Sequence, residues 1–333
     1  MGELARRRSE TAARLDQLRE ELKMAERLAA GKACVYATGS FGRCEASPHS
    51  DLDLFIVGKD GGSPRHDGTE GSMLRRLDEI CIKADLIYAT RRMKIPEFSG
   101  DGRYLVHYSV NDFTKTLGTP EDDVTNTFTA RLLLLLESCP LLEPLVYRDV
   151  TQDVIAAYWR DYADHKTDFM PAFLANDILR LWRTFCVNYE ARTARVPDEE
   201  KAKGKLRNYK LKHSRLLTCY SAILFLLALY GEYKSVSPAN VVEMIGLTPT
   251  ERIEWLIQQP YLAPAKSALS LLLDRYERFL DTTNADEKEL VRRLLNHKTS
   301  RTYMSAAHEF GDTVFEAMTL IGQGNRFHRL LVV

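Results

Sequence analysis

The chain has 333 residues, of which 45% are hydrophobic and 28% are charged, a composition typical of a folded globular protein with enough apolar side chains for a core. At this length we expect two domains. Lysine and arginine together number 46, as do aspartate and glutamate, so the formal net charge is zero. This balance argues against a protein that coats long nucleic acid, but it allows a local basic site for phosphates.

The N-terminal stretch MGELARRRSETAARLDQL lacks the apolar core of a signal peptide. The longest apolar run, residues 216–230, is shorter than the roughly 18 residues expected of a membrane span. We therefore expect a cytoplasmic protein. No two cysteines form a C-x-x-C pair, which favours buried free thiols over disulfides or zinc. The six cysteines are Cys34, Cys44, Cys81, Cys139, Cys186 and Cys219.

The first hundred residues alternate between helical and strand patterns. Apolar residues at three-and-four spacing predict an amphipathic helix over residues 10–30. The run ACVYAT predicts a strand over residues 33–38, which ends at Gly39-Ser40. The run DLDLFIV predicts a second strand over residues 51–57. It begins with alternating acids and ends fully apolar, as expected for a strand that leads from a polar cleft into a core.

Weaker elements follow these two strands. Residues 58–73 are rich in glycine and polar residues, which predicts a loop. MLRRLDEICI then predicts a helix that begins near residue 73. ADLIYAT predicts a strand over residues 84–90, and RYLVHYSV predicts another over residues 103–110.

After about residue 120 the pattern becomes helical almost throughout. Segments such as FTARLLLLLESCPLL, FLANDILRLWRTFCVNYEART and SRLLTCYSAILFLLALYG have helical periodicity, and strand signals nearly vanish. We therefore predict an α+β protein in which a small mixed-sheet domain precedes an all-helical domain. The predicted boundaries are 1–118 for the first domain and 119–333 for the second.

Two acids stand at the start of the second strand. Asp51 and Asp53 should lie on one face, because side chains in a strand repeat every two residues. Two carboxylates so close together repel each other unless a cation lies between them. Mg²⁺ suits such a place, because it binds one or two carboxylates together with substrate phosphates and waters.

The turn before these acids predicts a phosphate site. Gly39 allows close approach of the backbone to a ligand, the Ser40 hydroxyl can donate to a terminal phosphate, and Arg43 follows within one helical turn. A third carboxylate on a neighbouring strand would complete a two-metal site for phosphoryl transfer. Asp85, at the start of an apolar run, is the best candidate for binding the second metal or acting as a base.

The string GSFGRCEASPHSDLDLFIV resembles the signature of the DNA polymerase β-like nucleotidyltransferase superfamily, in which Gly-Ser precedes Asp-x-Asp at the start of an apolar strand. It is especially similar to the bacterial protein uridylyltransferases and adenylyltransferases of nitrogen regulation. The resemblance covers residues 35–57. It implies that Asp51, Asp53 and a third acid bind two Mg²⁺ or Mn²⁺ ions, and that Gly39-Ser40 holds a nucleoside triphosphate. It also implies that the helical domain closes the nucleotide cleft.

Residues 201–215, KAKGKLRNYKLKHSR, form a basic run without an acid. Most such runs are solvated surface. This one leads directly into an apolar helix, and lysine and arginine readily clamp phosphates, so Lys212 and Arg215 are candidate ligands of the β- and γ-phosphates. The related uridylyltransferases also carry a hydrolase domain with a His-Asp metal motif. Here His66-Asp67 falls in a glycine-rich segment, so we predict no removal activity.

The predicted reaction is attack of an acceptor hydroxyl on the α-phosphate of a nucleoside triphosphate, with release of pyrophosphate. Three acceptors remain open: a protein side chain, a nucleotide that would give a cyclic or linear signalling oligonucleotide, and the 3′ end of an RNA such as tRNA. A different class is a non-catalytic nucleotide-binding adaptor that kept the fold. The sequence leaves the nucleobase and the oligomeric state open.

Overall fold

The computed structural model describes residues 2–64, 70–96, 105–190 and 197–332; the side chains of residues 64 and 332 are also left undescribed. The chain forms two compact units, which divide between Arg160 and Asp161. The observed division comes later in the chain than the predicted one at 118/119. The reason is that residues 127–158 pack against the sheet of the first unit.

The first unit contains six short strands and eight helices among its described residues. The strands are β1 (Ala33–Thr38), β2 (Asp53–Gly58), β3 (Asp60–Pro64), β4 (Glu70–Ser72), β5 (His107–Ser109) and β6 (Cys139–Leu142). The helices are α1 (Glu3–Glu21), α2 (Lys23–Ala29), α3 (Gly39–Gly42), α4 (Arg76–Arg92), α5 (Val110–Thr114), α6 (Glu121–Val124), α7 (Thr127–Glu137) and α8 (Pro144–Tyr158).

The main sheet is mixed and has the strand order β5-β2-β1-β6. Strand β1 pairs antiparallel with both β2 and β6, whereas β2 pairs parallel with β5. Strands β3 and β4 form a separate two-stranded antiparallel sheet. A small mixed-sheet region followed by a largely helical part confirms the predicted α+β class.

Both faces of the main sheet are covered, which explains why β1 is buried along its whole length. On one face, Val35 and Ala37 belong to an apolar core that includes Leu18 of α1 and Leu86 of α4. Residues on the opposite face alternate with these. Tyr36 stacks on Phe55 at 5.6 Å between ring centroids and meets Tyr147 of α8 edge-on at 6.0 Å. The sheet therefore lies between two helical layers.

A buried ion pair fixes the position of α7. The Arg131 guanidinium donates to both carboxylate oxygens of Asp122, at 2.8 and 2.6 Å, and neither side chain is exposed. The same guanidinium donates to the Phe113 carbonyl at 3.1 Å and to the Tyr158 hydroxyl at 3.1 Å. Removing one partner of a buried pair of this kind costs about 3–5 kcal/mol. This ion pair therefore anchors α7, whose last residue, Glu137, lies at the sheet.

The prediction of a strand over residues 84–90 is wrong, because these residues lie in α4. Ile82, Leu86 and Ala89 are fully buried. Their spacing of four and three residues places them on one face of a helix, which packs on the core. The β-forming character of ADLIYAT was therefore overridden by helical packing.

Other segments also differ from the prediction. The helix predicted over residues 10–30 is two helices, α1 and α2. The segment 58–73 is not all loop, because it contains β3 and β4. In the segment predicted as a strand over residues 103–110, only His107–Ser109 is a strand, Val110 begins α5, and residues 103 and 104 lie outside the described residues. Strand β6 was not predicted, since SCPLL was included in a helical segment.

No strand is found among the described residues of the second unit. Its helices are α9 (Ala172–Glu190), α10 (Asp198–Lys210), α11 (Leu216–Tyr233), α12 (Pro238–Ile245), α13 (Pro249–Gln258), α14 (Lys266–Thr282), α15 (Glu287–Leu295), α16 (His297–Gly322) and α17 (Arg326–Val332). A π-helical segment, Leu211–Arg215, joins α10 to α11.

One helical stretch in the described ranges, Asp198–Tyr233, is long and apolar enough to cross a membrane by length and composition. Its most apolar window is 78% buried inside the protein. Because the core helices of globular proteins meet the same criteria, this stretch is weak evidence for a membrane span.

Candidate active site

The turn after β1 lies directly beside Asp53, the first residue of β2. Thr38, the last residue of β1, pairs with Asp53 across the antiparallel ladder. Gly39 follows with φ of +64°, and a Cβ atom on Gly39 would lie 3.0 Å from Asp53 Oδ2. A side chain at this position would therefore be strained by the backbone and crowded by the carboxylate. Glycine is needed here so that the turn and the acid can approach each other.

The two acids differ in their surroundings. Asp53 begins β2 and is half-buried, whereas Asp51 precedes the strand and is exposed. Leu52 between them is fully buried. The predicted strand therefore begins two residues later than expected, at Asp53. Ser40 is half-buried and belongs to the four-residue helix α3, which begins at Gly39.

A buried glutamate from α7 holds the turn in place. Glu137 Oε1 accepts a hydrogen bond from the Gly39 amide at 3.3 Å, although the two residues are 98 positions apart. The carbonyl of Glu137 also packs against the turn, since a Cβ atom on Gly42 would lie 2.0 Å from it. The backbone of α3 thus sits on the end of α7, and only glycine fits at residue 42.

Arg43, a predicted phosphate ligand, has a structural role in this fold. Its Nε donates to Glu45 Oε1 at 2.6 Å, and its Nη1 donates to Glu137 Oε2 at 2.7 Å. The Arg43 side chain is only 7% exposed. The guanidinium is therefore engaged with two buried carboxylates and faces away from solvent, which corrects its expected position at the phosphates. Arg43 ties the end of the turn to the same glutamate that holds Gly39.

Helix α1 supports the segment between the turn and β2. Arg7 Nη1 donates to the Glu45 carbonyl at 3.1 Å, and the Ala46 amide donates to Thr11 Oγ1 at 2.9 Å. Arg14 donates to the Ser47 carbonyl at 2.8 Å, and its guanidinium lies 4.6 Å from the centre of the Phe41 ring. The motif is therefore held from two sides, by α1 and by the end of α7.

Asp85, the predicted third carboxylate, lies on α4 rather than on a strand. Its Oδ2 accepts a hydrogen bond at 3.0 Å from the Ala25 amide in the first turn of α2, so this carboxylate joins two helices. The premise of its metal role, a place on a strand beside Asp53, is wrong. Among the residues that the structure describes, no cluster of three or more histidine, cysteine or acidic side chains could hold a metal ion.

The remaining candidates do not belong to the described part of the first unit. Lys212 and Arg215 belong to the second unit, in the π-helical segment between α10 and α11, and the Arg215 guanidinium lies 5.2 Å from the centre of the Phe185 ring. Their role at the phosphates stays a prediction. His66-Asp67 lies outside the described residues.

The sequence contained signals for two supports that were not predicted. Arg7 and Thr11 are buried polar residues on the same face of α1 as Leu15 and Leu18. A polar residue on an apolar stripe usually satisfies a buried backbone group. Glu137 similarly ends the apolar run LLLLLE, where a buried acid requires partners. Neither pattern could predict which distant backbone group each of these residues contacts.

Comparison with known proteins bears on the first unit. Residues 15–114 match the family model described as nucleotidyltransferase domain. This match lies within the first unit and supports a general activity of nucleoside monophosphate transfer with a nucleoside triphosphate as substrate. No curated protein and no solved structure is significantly similar to the chain.

Proposed function

We propose that this protein is a metal-dependent nucleotidyltransferase that transfers a nucleoside monophosphate to a hydroxyl of an acceptor protein. The observation that carries the proposal is the contact between the Gly39 turn and the Asp53 carboxylate, with Asp51 exposed two residues earlier. A turn that a phosphate could approach and two carboxylates that could bind a hard cation therefore lie at one end of β2. This combination fits transfer of a phosphoryl group from a triphosphate.

The donor set fits a divalent cation. Asp51 and Asp53 supply carboxylate oxygens, and Mg²⁺ is commonly held by one or two carboxylates together with substrate phosphates and waters; Mn²⁺ takes the same ligands. When bound, the cation would stabilise charge on the leaving pyrophosphate and lower the pKa of the attacking hydroxyl. The acid pair supports one ion. A second ion would need a further ligand, and Asp85 is already bonded to α2.

The side chains of the turn have separate tasks in this proposal. Gly39 leaves room for a phosphate next to the acids, while its own amide is bonded to Glu137. Ser40 provides a hydroxyl donor to the terminal phosphates. The acceptor oxygen forms a bond to the α-phosphorus as the bond to the bridging oxygen breaks, releasing pyrophosphate and a proton. Arg43, Glu45 and Glu137 preserve the shape of the turn and do not contact substrate.

The acceptor class rests on the resemblance to protein-modifying enzymes and on the zero net charge. A signalling oligonucleotide or the 3′ end of an RNA is the alternative acceptor, and each would carry the label to a different product. If the protein is instead a non-catalytic adaptor, it should bind nucleotide without turnover. One experiment separates all four outcomes.

The test incubates the protein and a cell extract with each α-labelled triphosphate and Mg²⁺ or Mn²⁺, and follows label and pyrophosphate. We expect label on protein. The double variant Asp51→Asn/Asp53→Asn should lower pyrophosphate release about a thousandfold, because losing several kcal/mol of charge stabilisation costs a factor of ten per about 1.4 kcal/mol. Wild-type rates in this variant would overturn the mechanism.

A matched control removes the same charge from the same unit. Asp149→Asn/Asp153→Asn neutralises two acids of α8, of which Asp149 forms a half-exposed pair with Lys59 at 3.0 Å. Exposed pairs contribute roughly 0–1 kcal/mol to stability, so this variant should fold and keep full activity. Label on RNA or on a small molecule would replace the protein acceptor, and binding by calorimetry without release would favour the adaptor.

A further inference from the structure

A second group of chemically active side chains lies at the other end of β2. His107 of β5 has Nε2 2.9 Å from Ser72 Oγ and Nδ1 3.2 Å from Glu79 Oε2. Ser72 ends β4, and Glu79 lies in the first turn of α4. Three separate elements thus bring a hydroxyl, an imidazole and a carboxylate into one hydrogen-bonded row. The proposed nucleotidyl transfer uses none of them.

The hydrogen-bond directions in this row follow from the donor and acceptor inventory. Lys83 and Arg76 both donate to Glu79, at 2.5 and 2.9 Å, so Glu79 is an ionised carboxylate that only accepts. His107 therefore carries its proton on Nδ1 and donates it to Glu79. The bare Nε2 then accepts the hydroxyl proton of Ser72.

The backbone fixes the serine in the matching orientation. Its Oγ accepts a hydrogen bond from the Leu74 amide at 3.1 Å, so the hydroxyl hydrogen is left for His107 Nε2. Gly58, the last residue of β2, makes room for the pair. A Cβ atom there would lie 1.8 Å from Ser72 Oγ and 3.0 Å from His107 Nε2. The close contact depends on a glycine, as the Gly39 turn does at the opposite end.

We propose that Ser72 is a nucleophile for acyl transfer from small esters, with His107 as its general base and Glu79 as the residue that positions the imidazole. Hydroxyl, base and orienting acid within hydrogen-bond reach are the recurring features of activated serine nucleophiles on unrelated folds. Ser72 is half-buried and Met73 beside it is 42% exposed, which places this row of residues close to the protein surface.

The chemistry balances without a cofactor. Ser72 Oγ forms a bond to the carbonyl carbon as its proton moves to His107 Nε2, and the alcohol leaves with that proton as its C–O bond breaks. Water then attacks the acyl-serine, His107 takes the proton of the water, and the serine oxygen recovers it as the acid leaves. The net reaction is ester plus water giving acid plus alcohol.

The test treats the whole protein with a fluorophosphonate probe and maps the adduct by mass spectrometry. In this reaction the Oγ–P bond forms, fluoride leaves and the proton passes to His107. We expect one adduct on Ser72, none in Ser72→Ala, and labelling at least about a hundredfold slower in His107→Gln, the usual effect of losing a general base. Ester turnover with p-nitrophenyl acetate should fall in the same two variants.

Ser305→Ala is the matched control. The Ser305 hydroxyl is exposed and donates to Glu309 at 3.2 Å, with no imidazole as its partner, so the control should label like the wild type. An unlabelled Ser72 in the folded wild-type protein overturns the proposal without needing any variant. Equal labelling of Ser72 in wild type and in folded His107→Gln also overturns it, because the hydroxyl would then be reacting without the base.

Glu79→Gln tests positioning. The charged groups that act on His107 are Glu79, Lys83 and Asp112; burial lowers the pKa of His107 and the Glu79 carboxylate opposes that effect. Removing the negative charge should shift the acid limb of the labelling profile to lower pH while reducing the rate. An unchanged pH profile would contradict the assignment of Glu79, since a merely structural role leaves the profile where it was.

Discussion

At each end of β2 a glycine allows other groups to approach the strand closely, but the groups at the two ends differ in their chemistry. At its start, Gly39 lets a turn approach the Asp53 carboxylate; at its end, Gly58 lets Ser72 and His107 approach the strand. The first end presents the exposed Asp51 and the hydroxyl of Ser40. The second end holds a closed row of hydrogen bonds between neutral and charged groups. One short strand of about 17 Å therefore separates two polar sites.

The difference shows what each arrangement is ready to bind. An exposed carboxylate beside a half-buried one can bind a cation and, with it, a phosphate, whereas a hydroxyl that already donates to an imidazole is prepared to lose its proton. The supports differ as well. Residues from distant parts of the chain, such as Glu137, hold the Asp53 end, and the Ser72 end is assembled mostly from residues 58–107. Substitutions at the two glycines should therefore have separable effects.

Among substitutions at these glycines, the largest effect is expected from Gly39→Ala. Alanine would hold φ of +64° at a cost of about 1–2 kcal/mol and would place a methyl group 3.0 Å from Asp53 Oδ2. Because a displacement of about 1 Å in a catalytic group can cost a hundredfold in rate, nucleotidyl transfer should fall about a hundredfold. The measurement is the rate of pyrophosphate release, with folding followed by circular dichroism.

Gly31→Ala is the matched control for backbone strain. Gly31 has φ of +67°, and nothing lies within 4 Å of the position of its Cβ. It should lose a similar free energy of unfolding and keep its activity. If both variants lost activity equally, the effect would belong to strain, and the contact with Asp53 would carry no function.

A smaller effect, on stability, is expected from Gly58→Ala. The added methyl group forces Ser72 to move, and overpacking of this kind costs about 1–3 kcal/mol. Chemical denaturation measures the loss, and Gly204→Ala, a helical position with nothing within 4 Å, should show none. Labelling of Ser72 should disappear while pyrophosphate release stays within a few-fold. Loss of both activities together would mean that the two ends are not independent.

The smallest effect concerns the thiols beside the Gly39 end. A hydrogen bond with Cys44, together with the charge of Arg19, lowers the pKa of Cys139 to about 7 against the opposing effect of burial. Burial raises the pKa of Cys34 to about 12. Alkylation by iodoacetamide should therefore be half-maximal near pH 7 at Cys139 and negligible at Cys34, as measured by mass spectrometry of each site.

The Cys44→Ala variant should move the midpoint of Cys139 upward, towards the ordinary thiol value, because the hydrogen bond that stabilises the thiolate is lost. Cys139 follows directly after Ser138 and Glu137, so its reactivity also reports whether the support of the Gly39 turn is assembled. A midpoint that does not move in Cys44→Ala would contradict the contact between the two thiols. None of the six cysteines forms a disulfide, and the two that are buried are Cys34 and Cys219.

Local patterns predicted much of the first unit. The runs ACVYAT and DLFIVG became β1 and β2 because each has apolar residues for both faces of a covered sheet. The helical character of the remainder followed from periodicity. The turn at Gly39 could also be predicted from the sequence, since glycine between two strands readily adopts the backbone conformation that a tight turn requires.

The failures concern interactions between distant residues. ADLIYAT has the composition of a strand, but its isoleucine and leucine meet the core only when the backbone is helical. Arg43 was expected at a phosphate because its spacing suited one, but it donates to Glu45 and to Glu137, which lies 94 residues away at the end of α7. The partners of Ser72 were invisible for the same reason: His107 is 35 residues away, on another strand.

The hydrogen bond from Gly39 to Glu137 has a consequence for how the site comes into being. During synthesis at about 5–20 residues per second, the turn is complete roughly 5 to 20 s before the 98 residues that separate it from its support have been added. Until then the turn lacks the hydrogen bond from the Gly39 amide to Glu137. The same dependence on distant residues affects a fragment cut to residues 15–114, because Arg7, Thr11 and Glu137 lie outside it. Such a fragment would contain the recognisable motif without the scaffold that shapes it.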